Sequence, residues 1–403
     1  LNGAASLLEK VSPRSVVNGD AWWVEVRIVS RSLAERGKWR RAYKLAAKGF
    51  ADSAKDRADQ AFTAGWLALT GLKAGRAADK HFAALEKIGT TPLTKSRAAY
   101  WRGRAAEAMG NGGAAQRHFR DASRFGYTYY GQLVRGEMGR SGTGVRRAPT
   151  PSASDTAAMR KNPLAIAVRR LHQTGHGHRI WPLLKHLAQT VPTPGQVAIV
   201  VKLAEDAGKP HLGLMAAKAA QRRGMDVGGL AYPTKHIPRT ARVPAGVDKA
   251  VVYAIARQES LFNTGARSPV GAAGLMQLMP RTAAALAREL GLRHSARPLT
   301  RDPAYNATLG AAYLKKRLGN FDGSYILTFA AYNAGAGRVR EWIERFGDPR
   351  SPRVDPLRWV EQIPYPETRN YVQRVMENVQ VYREMLGTGR LAISRDLERG
   401  RSS

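Results

Sequence analysis

Glu259 closes the apolar, helix-like stretch Ile255-Ala256-Arg257-Gln258-Glu259-Ser260, and no other carboxylate follows until Glu289. Between the two acids runs a Gly- and Met-rich segment, Ser268-Pro269-Val270-Gly271-Ala272-Ala273-Gly274-Leu275-Met276-Gln277-Leu278-Met279-Pro280. A lone carboxyl beside a tightly turned, apolar-walled groove suits general-acid chemistry, because apolar walls disfavour the charged form and keep the proton on near neutral pH. Gly271 and Gly274 let the backbone turn sharply and come close to a ligand. Met276, Leu278 and Met279 supply adaptable apolar surface, while Ser268 and Gln277 offer hydrogen bonds without charge. An ordinary helix-end Glu followed by a Gly-rich loop fits the same residues, and on the residues alone the two readings stand level.

Two further clusters carry polar groups at turns. In Ala330-Ala331-Tyr332-Asn333-Ala334-Gly335-Ala336-Gly337, Tyr332 and Asn333 end a helix and the glycines release the chain. A Tyr hydroxyl there can orient a carboxyl or bind a sugar hydroxyl, or simply pack at a helix end. In Ile363-Pro364-Tyr365-Pro366-Glu367-Thr368-Arg369-Asn370-Tyr371 the prolines stiffen a loop. Glu367 there suits a substrate amide or a neighbouring base, and equally a helix N-terminus whose dipole favours an acid.

The elements that must position these groups read as helices, and strand signals are nearly absent. The spacing predicts a helix from about Val247 to Glu259, and a second from Pro280 or Arg281 through Glu289. Upstream, Gly75-Arg76-Ala77-Ala78-Asp79-Lys80-His81-Phe82 lies on Gly112-Gly113-Ala114-Ala115-Gln116-Arg117-His118-Phe119 at an offset of 37, with Gly37–Tyr43 as a weaker copy. Helix-turn-helix units of this length stack into solenoids, since each pair buries its apolar face only against its neighbours. A Pro/Ser/Gly-rich break at 141–157 and another at 232–238 divide the chain. The expected domains are an α-superhelical repeat over 1–145, N-terminally truncated; linker helices continuing it over 146–235; a domain over 236–388 holding all three clusters; and a basic, flexible tail over 389–403.

At 403 residues the chain is too long for one small core. Its formal net charge of +34 attracts polyanions through long-range, salt-sensitive forces. The basic residues are scattered rather than gathered in an arm, which argues against nucleic acid as the partner. With no cysteine, thiol chemistry, disulfides and Cys-ligated metal are excluded. No run approaches the ~20 apolar residues of a membrane span. The start at Leu1, with no signal-peptide core, reads as a processed or truncated product. His172, His176 and His178 lack helical spacing and a nearby acid, so no metal site is expected.

In this order and at these distances, the three clusters resemble the lysozyme-like catalytic domain of the soluble lytic murein transglycosylases. The matching pieces are Ala256-Arg257-Gln258-Glu259-Ser260, Ser268–Ala272 with Gly274–Pro280, Ala331-Tyr332-Asn333-Ala334-Gly335 and Ile363–Arg369. Tyr100–Ala105 and Tyr127–Leu133 are similar to parts of the helical superhelix that precedes the domain in that family. Thr264 departs from the pattern, standing where the family often has proline.

The resemblance implies an all-α fold, a superhelical solenoid followed by a lysozyme-like domain. It further implies an enzyme that cleaves the β-1,4 bond between N-acetylmuramic acid and N-acetylglucosamine in peptidoglycan without water, leaving 1,6-anhydromuramic acid ends. Glu259 would be the single acid and then the base. Ser268, Gln277 and Met279 would line sugar subsites, Tyr332 would position Glu259, Asn333 would support that corner, and Glu367 would bond substrate or groove. No metal or organic cofactor is called for. The implied setting is the bacterial periplasm or cell envelope, with peptidoglycan glycan strands as partner and anionic wall polymers as a second class. A hydrolytic muramidase on the same fold, or a non-catalytic cationic scaffold binding wall or nucleic acid, are the rival readings.

Overall fold

The computed structural model describes residues 1–293 and 295–401. No strand occurs among the described residues, and the only sheet-like pairing is two isolated bridges, Arg267 with Ala273 and Ala273 with Leu278. The chain folds into helices α1 (Asn2–Lys10), α2 (Gly19–Glu35), α3 (Trp39–Ala46), α4 (Ala54–Thr70), α5 (Gly75–Ile88), α6 (Pro92–Ala108), α7 (Gly112–Ser123) and α8 (Tyr129–Glu137). After a loop come α9 (Ala153–Lys161), α10 (Pro163–Gln173), α11 (Trp181–Thr190), α12 (Pro194–Asp206), α13 (Pro210–Arg222), α14 (Lys249–Ser260) and α15 (Pro280–Glu289). The last six are α16 (Pro303–Gly319), α17 (Tyr325–Ala334), α18 (Ala336–Phe346), α19 (Pro356–Gln362), α20 (Pro366–Leu386) and α21 (Ile393–Glu398). The protein is therefore all-α, and none of its described helices is long and apolar enough to cross a membrane.

By its internal packing the chain divides into two compact units, residues 1–140 with 340–369, and residues 141–339 with 370–403. In the first, α5 and α7 begin at the two glycines that open the repeated motif. The motif has a packing reason. Phe82 of α5 lies against Gly65 of α4, where a Cβ would sit 2.6 Å from its ring, and Phe119 of α7 lies against Gly103 of α6, where the distance would be 2.4 Å. Each hairpin thus seats the ring of its second helix on a bare stretch of its first. Residues 340–369 join this unit through Glu361, which is fully buried. Its carboxylate meets Arg97 at 3.2 Å and accepts from the Tyr130 hydroxyl, while its carbonyl accepts from Arg31 at 2.9 Å. A buried carboxylate needs such donors to offset its desolvation.

In the second unit α14 is buried from Ala250 through Arg257. Asp248 caps it by accepting from the Ala250 amide at 2.8 Å, and meets Arg383 of α20 at 2.7 Å. The helices over 153–222, expected as a continuation of the superhelix, belong to the same compact unit as α14. The tail expected to be mobile contains α21, whose Ile393 and Leu397 are buried. Its Asp396, 3 % exposed, lies 2.5 Å from Arg383 and accepts from Gln380 at 2.6 Å. A buried acid that finds a guanidinium fixes its own segment, and the basic composition of the tail concealed it.

Candidate active site

Glu259 stands in the last turn of α14, which ends where predicted, before two consecutive non-glycine residues in the left-handed region, Leu261 (φ 53°) and Phe262 (φ 61°). Bulky side chains rarely adopt that conformation, and such strain concentrates at functional sites. Burial of Phe262 compensates: its ring packs on Tyr253, Tyr382 and His236, with centroids 6.1, 6.3 and 5.5 Å away. Arg257, one turn before, donates to the Ala231 carbonyl at 3.0 Å and to Asn378 at 2.7 Å, clamping the end of the helix from behind.

The Glu259 carboxylate accepts a hydrogen bond from the Tyr371 hydroxyl, 2.6 Å from Oε1. Tyr371 is 4 % exposed, and its ring stacks on Tyr332 at 6.5 Å and 13°. Tyr313 in turn sets its edge against Tyr332 at 5.2 Å. Burial first, and then the Glu259 charge, push both the Tyr371 and Tyr332 phenols well above their ordinary value, so both remain proton donors. The Tyr332 hydroxyl, expected to position Glu259, instead donates to the Met276 carbonyl at 2.8 Å. Tyr371, the last residue of the third cluster, is a direct donor to Glu259; Tyr332 supports it by stacking and holds the Met-rich loop.

That loop is a folded object. Ala273 and Leu278 exchange two backbone hydrogen bonds of 3.0 and 3.1 Å, and the Gly274 amide donates to Ala266 at 2.8 Å. Asn306 of α16, fully buried, closes it: Oδ1 accepts from the Met276 amide at 2.9 Å, and Nδ2 donates to the Ala273 and Leu299 carbonyls at 3.0 and 2.9 Å. Gly274, at φ 78°, is obligatory here, because a Cβ would lie 2.1 Å from both Asn306 Nδ2 and the Leu299 oxygen. Ser260, next to Glu259, donates to the Leu275 carbonyl at 2.8 Å and fastens the loop to α14.

Of the residues expected to bind substrate, Ser268 is half-buried and its Oγ accepts from the Ala272 amide at 2.9 Å. Gln277, at φ 48°, donates through Nε2 to the Gly274 and Ala266 carbonyls at 2.8 and 3.3 Å. Met279 is 44 % exposed ahead of α15, and Asn333 is half-buried in the last turn of α17. All belong to the unit that holds Glu259; Glu367, exposed in the first turn of α20, belongs to the other. Asn306 and Ser260 escaped the reading of the sequence. For Asn306 the signal is a polar residue on the face it shares with Leu309, Gly310 and Tyr313.

Comparison with known proteins bears on this arrangement. The family profile "Transglycosylase SLT domain" matches residues 238–351, and "Soluble lytic transglycosylase helical domain" matches residues 362–390. The soluble lytic murein transglycosylase of Escherichia coli K12 is 39 % identical over 142 residues, which make up 35 % of this chain and 21 % of the relative. The match thus spans about a fifth of that relative's length. Among solved structures, an inactive Glu-to-Gln variant of the lytic transglycosylase Slt from Pseudomonas aeruginosa superposes with a TM-score of 0.68 at 25 % identity, covering 93 % of this chain and 59 % of that one. The 70 kDa soluble lytic transglycosylase of Escherichia coli shares the fold at 21 % identity, with a TM-score of 0.59 over all of this chain and 68 % of its own. The chain thus carries a transglycosylase SLT domain over 238–351 and a segment similar to the soluble lytic transglycosylase helical domain over 362–390, and along nearly all its length its fold is similar to that of the solved lytic transglycosylases.

Proposed function

We propose that this protein is a peptidoglycan lytic transglycosylase that breaks the β-1,4 bond between N-acetylmuramic acid and N-acetylglucosamine and leaves a 1,6-anhydromuramic acid end. The observation that carries this reading is Glu259, set at a strained helix end with its carboxylate held by Tyr371. The Tyr371 O–H holds the carboxylate in one orientation at the end of α14. Protonated Glu259 delivers its proton to the leaving glycosidic oxygen as the C1–O bond breaks. The resulting carboxylate removes the proton from the muramyl C6 hydroxyl, whose oxygen bonds to C1. No water enters, and Glu259 ends as it began.

A hydrolase of the common kind needs a second carboxylate to activate water or attack the sugar; a substrate that brings its own nucleophile does not. Ser268, Gln277 and Met279 serve the sugar subsites, Tyr332 and Asn333 support the corner around Glu259, and Glu367 is a further substrate contact. The murein-directed name of the Escherichia coli relative and the inactivity of the Glu-to-Gln variant of the Pseudomonas neighbour support the reading. Peptidoglycan strands are then the partner and the periplasm the site of action.

Digestion of purified sacculi by wild type and Glu259→Gln, read by mass spectrometry, tests it. Wild type should release anhydromuropeptides, and the variant should lose at least ~100-fold in rate. Reducing muramic ends would mean hydrolysis on the same fold. Unchanged digestion by the variant would reject a catalytic Glu259.

A further inference from the structure

The first unit holds a pocket of about 440 Å³ lined by Arg117, Arg120, Asp121, Ser123, Arg124, Arg135 and Arg140. These five are all the arginines of segment 111–140, which contains no lysine. Arg117, Arg120 and Arg124 recur at helical spacing along one face of α7 and out of its end, while Arg135 and Arg140 come from α8 and the turn after it. Five guanidiniums face one carboxylate, and Asp121 meets only the nearest, Arg124, at 3.4 Å. Arg135 is half-buried and donates to the Ser123 carbonyl at 3.3 Å, which fixes one guanidinium at the wall in advance.

A second basic pocket of the same unit shows what cations look like when the chain itself uses them. There Arg41 grips Glu9 through two bonds of 2.6 and 2.9 Å, and Lys48 donates to the carbonyls of Leu8, Glu9 and Val11 at the end of α1. Those contacts fasten α1. In the α7–α8 pocket, by contrast, the guanidiniums of Arg117, Arg120 and Arg140 meet no acid or carbonyl among the described residues. Its cations are all of the type whose planar fork pairs bidentately with phosphate and carboxylate.

We propose that the α7–α8 pocket is an oxyanion-binding site for a ligand presenting two or more clustered phosphate or carboxylate groups. Calorimetric titration of the full chain with inorganic pyrophosphate, and separately with citrate, tests it and separates the two sources. The double variant Arg120→Glu/Arg124→Glu is compared with Arg40→Glu/Lys44→Glu, which changes the net charge equally at the other pocket. Circular dichroism checks that both remain folded. Saturable binding of pyrophosphate, citrate or both, weakened at least ~10-fold in the first variant and within about twofold of wild type in the second, is expected. Absence of saturable binding for both probes, or equal loss in both variants, overturns the site.

Discussion

At the residue scale, Tyr371 makes Glu259 a held group instead of a loose helix-end acid. Its bond to the carboxylate is charge-assisted, a class worth roughly 1.5–3 kcal/mol. Tyr371→Phe keeps the ring stacked on Tyr332 and removes only the hydroxyl, so glycan cleavage should fall about 10- to 100-fold while the melting temperature changes little. The raised phenol also fixes an expectation for pH. The folded protein keeps Tyr371 protonated beyond the usual tyrosine range, so any alkaline fall in activity below that range belongs to another group. Wild type and Tyr371→Phe should share that limb; its disappearance in the variant would show Tyr371 ionisation at work.

At the element scale, the Met-rich loop owes its shape to α16 and α14 as much as to its own glycines. Asn306→Ala strands the Met276 amide and the Leu299 carbonyl and removes one of the two bonds to the Ala273 carbonyl, and a buried group left unpaired costs about 1–3 kcal/mol. A loss of at least ~2 kcal/mol in urea denaturation is expected, accompanied by weaker binding of glycan. The turn before α14 carries a pH dependence of its own. His236 packs on Phe262, and burial, with His211 as a lesser influence, pushes it down to about 4 from 6.5. Between those values the unfolded chain takes up a proton that the folded one refuses, so stability falls as pH drops through that window, by up to ~3 kcal/mol. Thermal melts from pH 7 to 4 should show this slope, and His236→Phe should flatten it.

At the scale of the whole chain, repeat packing and charge act separately. Phe82→Ala empties the seat on Gly65 and should cost roughly 3–5 kcal/mol, since the ring is fully buried and its hairpin neighbours cannot close the space. The net charge of +34 works at a distance. Co-sedimentation with sacculi should weaken steeply from low to physiological salt, and Glu259→Gln should sediment like wild type, because screening acts on the field and not on the reacting carboxyl. Loss of sedimentation in Glu259→Gln would tie wall binding to the site itself.

Much of the fold was legible in the sequence because helices announce themselves locally. Apolar periodicity, the prolines that open α15 and α20, and the Gly-to-Phe repeat shared by α5 and α7 are all written within a few residues of where they act. So was Glu259, an acid isolated along the chain. Its partner was not legible. Tyr371 follows it by 112 positions, and only the packing of α20 beside α14 brings the hydroxyl to 2.6 Å and leaves Tyr332 to the Met276 carbonyl. Asn306 and Asp396 are of the same kind, polar residues whose meaning depends on which backbone or guanidinium they meet when buried. Composition and spacing determine which elements form and which acid stands alone; the direction of each buried hydrogen bond is settled only when distant segments share one desolvated space.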